Sequence, residues 1–297
     1  MPFVEVNHVS KTYGDRTVVN DVSFDVDEGE ILGLIGPNGA GKTTTIRIIM
    51  DLIRSDSGEV KILGKRLDEA AKSSIGYLPE ERGLYLNMTV TESLIYLASL
   101  KGMEVHRAAS RTDDLLARVG LLPHKQKKIR ELSRGMGQFV QFLVTIIHEP
   151  RVVILDEPFA NLDPVNTQLI KDMVLELRNR GRAIILSTHR MNDIEELCDH
   201  ILMIDEGRTV LYGDLAEIKA RYRNNSVLLE YEGDLGEVSG VVRRQDHNGR
   251  TELFLDSETT PQQVLAELLQ QGVTVNRFEV ATPPLNDIFL QVVERDQ

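Results

Sequence analysis

The stretch GPNGAGKT at residues 36 to 43 constrains the fold of this chain more than any other feature. It has the form Gly-x-x-x-x-Gly-Lys-Ser/Thr, and it lies between an apolar run, EILGLI, and a helical pattern, TTTIRIIMDLI. In that position the glycines let successive backbone N–H groups curl around phosphate oxygens at the positive end of a helix. The sequence therefore predicts a nucleotide phosphate site, with Lys42 on the outer phosphates and the Thr43 hydroxyl on Mg²⁺.

Two further apolar runs predict neighbours for the strand that precedes this loop. RVVILDEP, at residues 151 to 158, and RAIILSTH, at residues 182 to 189, are continuous rather than alternating. Such runs are typical of strands that are buried on both faces, as in parallel sheets flanked by helices. The fold class predicted for this part of the chain is therefore α/β.

Polar side chains follow both of these runs. Asp156 and Glu157 end the first, and His189 ends the second. Because open α/β sheets bind ligands at the carboxyl ends of their strands, we expect these side chains beside the phosphate loop. We interpret Asp156 as orienting Mg²⁺ and Glu157 as positioning and deprotonating a water. A neutral His189 imidazole there can hydrogen-bond a γ-phosphate or the attacking water.

The composition limits the partners and the setting of the protein. A hydrophobic fraction of 41% with 27% charged residues is typical of a globular protein that buries a core. The net charge of -12 argues against nucleic acid as a partner. One cysteine, Cys198, fits a reducing compartment. The best apolar run, FLVTII, is far shorter than the about 18 residues of a membrane span. We therefore expect a cytoplasmic protein that works at a membrane only from the side.

The helical patterns and a shift in composition divide the chain. Thr89-Val-Thr-Glu92 predicts a capping box, and with it a helix from Val90 to about Lys101 within a helical subdomain at about residues 80 to 135. After residue 223, short strand patterns, a turn at 247 to 249 and a helix beginning at Pro261 predict an α+β domain. The predicted domains are a nucleotide-binding domain at 1 to 223 and a small accessory domain at 224 to 297.

Several motifs in a fixed order carry a resemblance to a known family. They are Tyr13 in KTYG, GPNGAGKT, LSRGM at 132 to 136, VVILDE at 152 to 157, NLD at 161 to 163, and His189 after Ser-Thr. Together they resemble an ATP-binding cassette (ABC) ATPase over residues 1 to about 220. The resemblance implies a P-loop NTPase fold of ABC type. It also implies that two copies close head to tail, with ATP between the phosphate loop of one and LSRGM of the other.

The resemblance also implies the residues that bind ATP and Mg²⁺. Tyr13 would stack on adenine, Ser133 and Gly135 would contact the ATP of the partner copy, and Asp163, also a predicted helix N-cap, would contact that copy. The residues expected to bind ATP are Tyr13, Gly36, Pro37, Asn38, Gly39, Ala40, Gly41, Lys42, Thr43, Thr44, Ser133, Gly135 and Asp163. The expected metal ligands are Thr43, Asp156 and Glu80, and the expected catalytic residues are Glu157, His189 and Glu80.

Two motifs depart from the family pattern. LSRGM has Arg134 and Met136 where the family has Gly and Gln in Leu-Ser-Gly-Gly-Gln, but it keeps the Ser hydroxyl, one Gly and a helix N-terminus. In GYLPEERG, Glu80 stands where the resemblance implies Gln. Our hypothesis is that the Glu80 carboxylate still contacts the metal or the water and links hydrolysis to the helical subdomain.

The resemblance narrows the function to an ATPase that energises a separate permease. GYLPEERGLY, LSRGM and the C-terminal PPLNDIFLQVV are similar to ABC-2-type exporter ATPases, including sodium and drug efflux systems. This predicts export, a permease partner, and a position on the inner face of the cell membrane. The alternatives are a soluble cassette acting on ribosomes or DNA, and a P-loop kinase or GTPase, although no Asn-Lys-x-Asp guanine-reading motif occurs.

Overall fold

The computed structural model describes residues 1–81, 83–247 and 250–295, and the chain forms two compact units. The first unit is Met1–Leu215 and the second is Ala216–Gln297. The boundary between nucleotide-binding and accessory domains after residue 223 stays a prediction. Within the described residues, no helix has both the length and the apolar character needed to cross a membrane.

The strands of the first unit form two sheets. In chain order they are β1 (Val4–Tyr13), β2 (Arg16–Val26), β3 (Ile31–Ile35), β4 (Ser57–Ile62), β5 (Lys65–Arg66), β6 (Ile75–Leu78), β7 (Val152–Asp156), β8 (Ala183–Ser187), β9 (His200–Asp205) and β10 (Arg208–Asp214). One sheet is antiparallel with the order β2-β1-β4-β5. The other has the order β10-β9-β3-β8-β7-β6, and all of its pairs except β9 with β10 are parallel.

The three apolar runs noted in the sequence become the centre of the parallel sheet. Every residue of β3, β7 and β8 is buried, as the continuous hydrophobic pattern predicts. Because β8 lies between β3 and β7 and runs parallel to both, all three strands end at the same edge. The segments that follow them are therefore brought together, and the predicted α/β architecture is confirmed.

Helices connect these strands. They are α1 (Lys42–Ile49), α2 (Glu69–Lys72), α3 (Val90–Leu100), α4 (Val105–Arg118), α5 (Arg134–Ile146), α6 (Pro164–Asn179) and α7 (Met191–Leu197), and α8 (Leu215–Arg221) follows β10. The predicted capping box of α3 is confirmed, since the Thr89 hydroxyl accepts from the Glu92 N–H at 3.2 Å and the Glu92 carboxylate accepts from the Thr89 N–H at 2.8 Å. Helices α3 and α4 lie within the range of the predicted helical subdomain, which itself stays a prediction.

Two helix boundaries differ from the prediction. Helix α1 ends at Ile49, well before Ile53, because Asp51 has a left-handed φ of 54° and the Leu52 N–H turns back to the Arg47 carbonyl. The apolar pattern GQFVQFLVTII predicts a helix that begins at Gly137, whereas helix α5 begins at Arg134, because the Ser133 side chain caps it by accepting from the Met136 N–H at 3.2 Å. The LSRGM motif is thus the cap and first turn of a helix.

The second unit is an antiparallel sheet packed on a helix. Its elements are β11 (Ser226–Glu232), β12 (Val241–His247), β13 (Arg250–Leu255), α9 (Pro261–Gln270), β14 (Thr274–Val280) and α10 (Leu285–Arg295), with the strand order β12-β13-β11-β14. Val264 and Leu268 of α9 belong to one buried cluster with Val227, Leu229 and Leu253 of the sheet. The predicted α+β character is confirmed; of the predicted turn, Asn248 and Gly249 lie outside the described residues.

A half-buried histidine after α5 makes the stability of the first unit depend on pH. His148 Nε2 lies 3.1 Å from the Ile75 carbonyl, and burial lowers the His148 pKa from 6.5 to about 4. The unfolded chain takes up a proton as the pH falls below 6.5, whereas the folded chain does not until about pH 4. Stability is therefore lost across that window, by roughly 2 to 3 kcal/mol at pH 4.5.

His148→Gln is expected to remove this contribution, because glutamine keeps an N–H donor for Ile75 but does not titrate in this range. Urea denaturation at pH 7 and pH 4.5 measures the effect. The variant should lose roughly 2 to 3 kcal/mol less than the wild type between the two pH values. Equal losses in the two proteins would contradict the assignment of a neutral imidazole to folded His148.

Candidate nucleotide-binding site

The phosphate loop between β3 and α1 has a backbone that requires glycine. Gly36, Gly39 and Gly41 have φ values of 148°, 81° and 112°. A Cβ atom on Gly36 would lie 2.0 Å from the Ile204 carbonyl oxygen, and one on Gly41 would lie 2.5 Å from that of Val18. At Gly39 nothing lies within 4 Å, so the tip of the loop is open. The loop is held tightly at both ends and is accessible to a ligand in the middle.

Lys42 is the first residue of α1, and it folds over the loop. Its ammonium donates to the Gly36 carbonyl at 2.6 Å and to the Pro37 carbonyl at 3.0 Å. Burial lowers the Lys42 pKa, and the carboxylates of Glu157, Asp156 and Glu80 oppose that shift. A positive charge at a helix N-terminus, with loop N–H groups beside it, can bind a polyphosphate.

Asp156, at the end of β7, is a buried carboxylate that lacks compensation on one oxygen. Its residue exposure is 2%, and its Oδ2 has no hydrogen-bond partner within the described part of the chain. Burial raises the Asp156 pKa, and the nearby Glu80 and Glu157 carboxylates raise it further. Because buried polar atoms are normally satisfied, an uncompensated carboxylate oxygen in the same cavity as Thr43 fits a divalent cation.

No three His, Cys, Asp or Glu side chains are grouped to hold a metal by themselves anywhere in residues 1–81, 83–247 and 250–295. Mg²⁺ is commonly bound through one or two carboxylates together with substrate phosphates and waters. The residues of this cavity therefore fit Mg²⁺ that arrives with a nucleotide.

Glu157 follows β7, and its side chain is held by the segment that follows the neighbouring strand β8. Its backbone is left-handed, with a φ of 51°, and its N–H donates to the Ser187 carbonyl at 2.9 Å. Oε1 accepts from the His189 N–H at 3.0 Å and lies 2.7 Å from Nδ1 of the His189 ring, while Oε2 accepts from the Thr188 hydroxyl at 3.2 Å. The His189 side chain is 72% exposed and that of Glu157 only 16%, so the ring can still reach a ligand.

A cavity of about 620 Å³ brings most of the predicted residues together. Its lining comprises Val18, Asn38, Gly39, Gly41, Lys42, Thr43, Thr44, Glu80, Asp156, Glu157, Ala160, Ser187 and His189. Pro37 and Ala40 line a second depression, which shares Val18, Asn38 and Gly39 with this cavity. The side chains from three strand ends thus converge with Glu80 around the ammonium of Lys42.

Seven predicted residues are not in this lining: Gly36, Pro37 and Ala40 of the phosphate loop, and Tyr13, Ser133, Gly135 and Asp163 outside it. Tyr13 lies at the end of β1, 48% exposed, with the Lys11 ammonium 5.5 Å from its ring centre. Ser133 and Gly135 lie at the start of α5, and a Cβ on Gly135 would lie 3.4 Å from the Asn161 carbonyl oxygen.

Asp163 is the N-cap of α6, as predicted. Its Oδ1 accepts from the Asn166 N–H at 3.0 Å, and this bond is the main cause of its lowered pKa.

Two residues with clear contacts to the site were not predicted. Thr188, between the predicted His189 and the end of β8, holds the second oxygen of Glu157. Gln138 is buried in α5, and its amide donates to the Pro158 carbonyl at 3.0 Å. Gln138 could have been predicted because it is a polar residue within an apolar helix pattern. Thr188 could have been predicted because it directly precedes the strand-end histidine His189.

The fold and this cavity define a P-loop nucleotide triphosphatase. Residues 19–160 match the family described as "ABC transporter", and residues 213–293 match "ATP-binding protein DrrA1-3-like, C-terminal domain". The chain is 38% identical to the uncharacterized ABC transporter ATP-binding protein YhaQ of Bacillus subtilis, over 97% of each chain. It is 32% identical to the Nod factor export ATP-binding protein I of Rhizobium etli, over 100% of this chain and 95% of that protein.

A solved structure of an ATP-binding subunit of an ABC transporter is also similar. It is 34% identical with a TM-score of 0.70, over 74% of this chain and 93% of that one. The chain therefore belongs to the ATP-binding proteins of ABC transporters. Proteins of this family are ATPases that bind ATP and energise a separate membrane permease. The ribosome or DNA alternative finds no support among these relatives.

Proposed function

We propose that the chain hydrolyses MgATP in the cavity around Lys42 and that this drives export through a separate permease. The observation that carries the proposal is the Glu157 carboxylate, held by Thr188 and His189 in the same cavity as Lys42 and Asp156. Export rests on the ABC-2-type resemblance and on the similarity to a Nod factor export protein.

Each side chain has a separate task in this proposal. The phosphate-loop N–H groups and Lys42 bind the phosphates, and Glu157 accepts the proton of the attacking water. Thr43, Asp156 and Glu80 would hold Mg²⁺, which, when bound, neutralises charge on the phosphates. His189 orients Glu157 through their 2.7 Å contact and hydrogen-bonds the γ-phosphate from its exposed ring.

A second copy of the chain supplies the remaining contacts. Ser133, Gly135 and Asp163 lie at the N-termini of α5 and α6 and outside the Lys42 cavity of their own chain. The first N–H groups of α5 are suited to an anion. We assign them to the γ-phosphate bound by the partner copy, so that MgATP joins two copies head to tail. Tyr13 would stack on the adenine.

The permease docks beside the loop that follows β6 and carries Glu80, called the Glu80 loop below. Tyr85 and Leu86, which follow this loop, are 51% and 58% exposed, and Tyr96 of α3 is 42% exposed. The rings of Tyr85 and Tyr96 pack edge to face, with centres 5.7 Å apart. Exposed aromatic side chains are enriched in protein interfaces. Docking there would place the chain on the inner face of the membrane and connect the permease to Glu80.

Lys42→Ala tests whether this cavity binds the nucleotide. Removing the ammonium deletes a charged hydrogen bond of about 1.5 to 3 kcal/mol, so the ATP dissociation constant should rise about 10- to 100-fold. Titration calorimetry measures it, and the exposed Lys65→Ala in β5 is a matched control. Equal ATP affinity in Lys42→Ala and wild type would place the nucleotide elsewhere.

A further inference from the structure

Gln141 ties the helix that begins at LSRGM to the loop that carries Glu80. It lies in α5, eight residues after Ser133, which is about two helical turns. Its amide Nε2 donates to the Pro79 carbonyl at 2.8 Å and to the Glu81 carbonyl at 3.2 Å. These two carbonyls flank Glu80, so one buried amide holds the loop on both sides of the carboxylate that lines the cavity.

The helix and the strand on either side of this contact are packed closely. Strand β6 leads directly into the loop, and a Cβ on its Gly76 would lie 2.2 Å from the Thr145 carbonyl oxygen of α5. One turn after Gln141, the Thr145 hydroxyl lies 3.0 Å from the Gln141 carbonyl of its own helix and 3.3 Å from the Tyr77 carbonyl of β6. Because the backbones of β6 and α5 are already in close contact, we expect a displacement of α5 to move the loop as well.

Burial of the Gln141 amide at this position costs free energy that an apolar side chain would not cost. The residue is 4% exposed, and its Oε1 has no hydrogen-bond partner among the described residues. Burying an amide that is only partly satisfied costs more than burying an apolar side chain of the same size. The two bonds to the loop are what the polar side chain contributes, so they point to a role in holding the loop.

We propose that Gln141 is a positioning residue for Glu80. It holds the loop so that the Glu80 carboxylate stays in the cavity with Asp156 and Lys42. It also makes the position of Glu80 depend on the position of α5, whose first turn reads the nucleotide of the partner copy. Engagement of the partner is thereby coupled to metal and water binding in the same chain. This inference rests on the proposed hydrolysis of MgATP.

The test is a double-mutant cycle between Gln141→Met and Glu80→Ala. Methionine keeps the length of the side chain and removes both donors. We expect Gln141→Met to lower kcat about 10-fold and to raise the Mg²⁺ concentration needed for half-maximal rate. Its affinity for ATP without Mg²⁺ should stay within about 2-fold of wild type, because Gln141 is not in the cavity lining. In the Glu80→Ala background, Gln141→Met should change kcat by less than about 2-fold.

The matched control is Thr145→Val, which removes a neighbouring hydroxyl that contacts the backbone carbonyls of Gln141 and Tyr77 but makes no bond to the loop. It should leave the Mg²⁺ dependence as in wild type. Gln141→Leu replaces Gln141→Met if the latter does not fold, as judged by its melting temperature.

The outcomes separate this inference from the proposed function. An equal loss of kcat from Gln141→Met with Glu80 present or absent would overturn the positioning role, and so would a Glu80→Ala protein that hydrolyses MgATP like wild type. If the wild-type protein does not hydrolyse MgATP at all, the proposed function itself fails.

Discussion

Glu157→Gln protein is expected to hydrolyse ATP about 10²- to 10⁴-fold more slowly than wild type, the range typical for loss of a general base. A glutamine keeps the size of the side chain; its one carbonyl oxygen can still accept from the His189 N–H, and its NH2 group can donate to the Thr188 hydroxyl. It cannot accept the proton of the attacking water. Phosphate release at saturating MgATP measures kcat, and the ATP dissociation constant should stay within about 3-fold of wild type.

The exposed Glu258→Gln in the second unit is the matched control for loss of one carboxylate, and it should hydrolyse ATP at the wild-type rate. A Glu157→Gln protein with nearly normal turnover would remove Glu157 as the base. A large loss of ATP affinity in this variant would instead assign Glu157 to nucleotide binding.

Lys171→Met is expected to destabilise the protein by about 3 to 4 kcal/mol, because it leaves a buried carboxylate without its main partner. The Lys171 ammonium of α6 lies 2.8 Å from Asp193 and 2.5 Å from Glu196 of α7, and the Lys171 and Asp193 side chains are 8% and 1% exposed. Arg190, which is 46% exposed, would be left to neutralise Asp193. Urea denaturation at pH 7 measures the loss, with the exposed Lys65→Met as control.

The same contacts define the pH range of this stabilisation. Burial would lower the Lys171 pKa, but the hydrogen bonds with Asp193 and Glu196 outweigh burial and raise it above 10.5. The contribution is therefore fully present below pH 10.5 and is lost only as the pH rises through the folded-state value. Lys171→Met should accordingly be destabilised by the same amount at pH 7 and at pH 9. A loss that halves between these pH values would contradict this pairing.

Much of the site could be predicted because its signals are local. A glycine pattern after a buried strand predicts the loop, and polar residues at the ends of continuous apolar runs predict Asp156, Glu157 and His189 at one edge. The sheet then brings them together, since β8 lies between β3 and β7.

The remaining features depend on tertiary packing that no local pattern encodes. The contact of His189 with Glu157 follows from the left-handed backbone at Glu157, which the sequence does not reveal for a residue other than glycine. Gln138 and Gln141 stand within an apolar helix pattern, and their carbonyl partners are at least 20 residues away in the chain. As at Glu157, the left-handed backbone of Asp51, which ends α1 early, is not revealed by the sequence.

The central claim is that MgATP joins two copies through the phosphate loop of one and the LSRGM helix of the other. Light scattering on Glu157→Gln protein, with and without MgATP, tests it most directly, because slow hydrolysis preserves the ATP-bound state. A mass that doubles only with MgATP is the predicted result, and the added Lys42→Ala substitution should raise the MgATP concentration needed for the doubling about 10- to 100-fold. A protein that binds MgATP and keeps the mass of one chain would contradict the assignment of Ser133 and Gly135 to the partner's nucleotide.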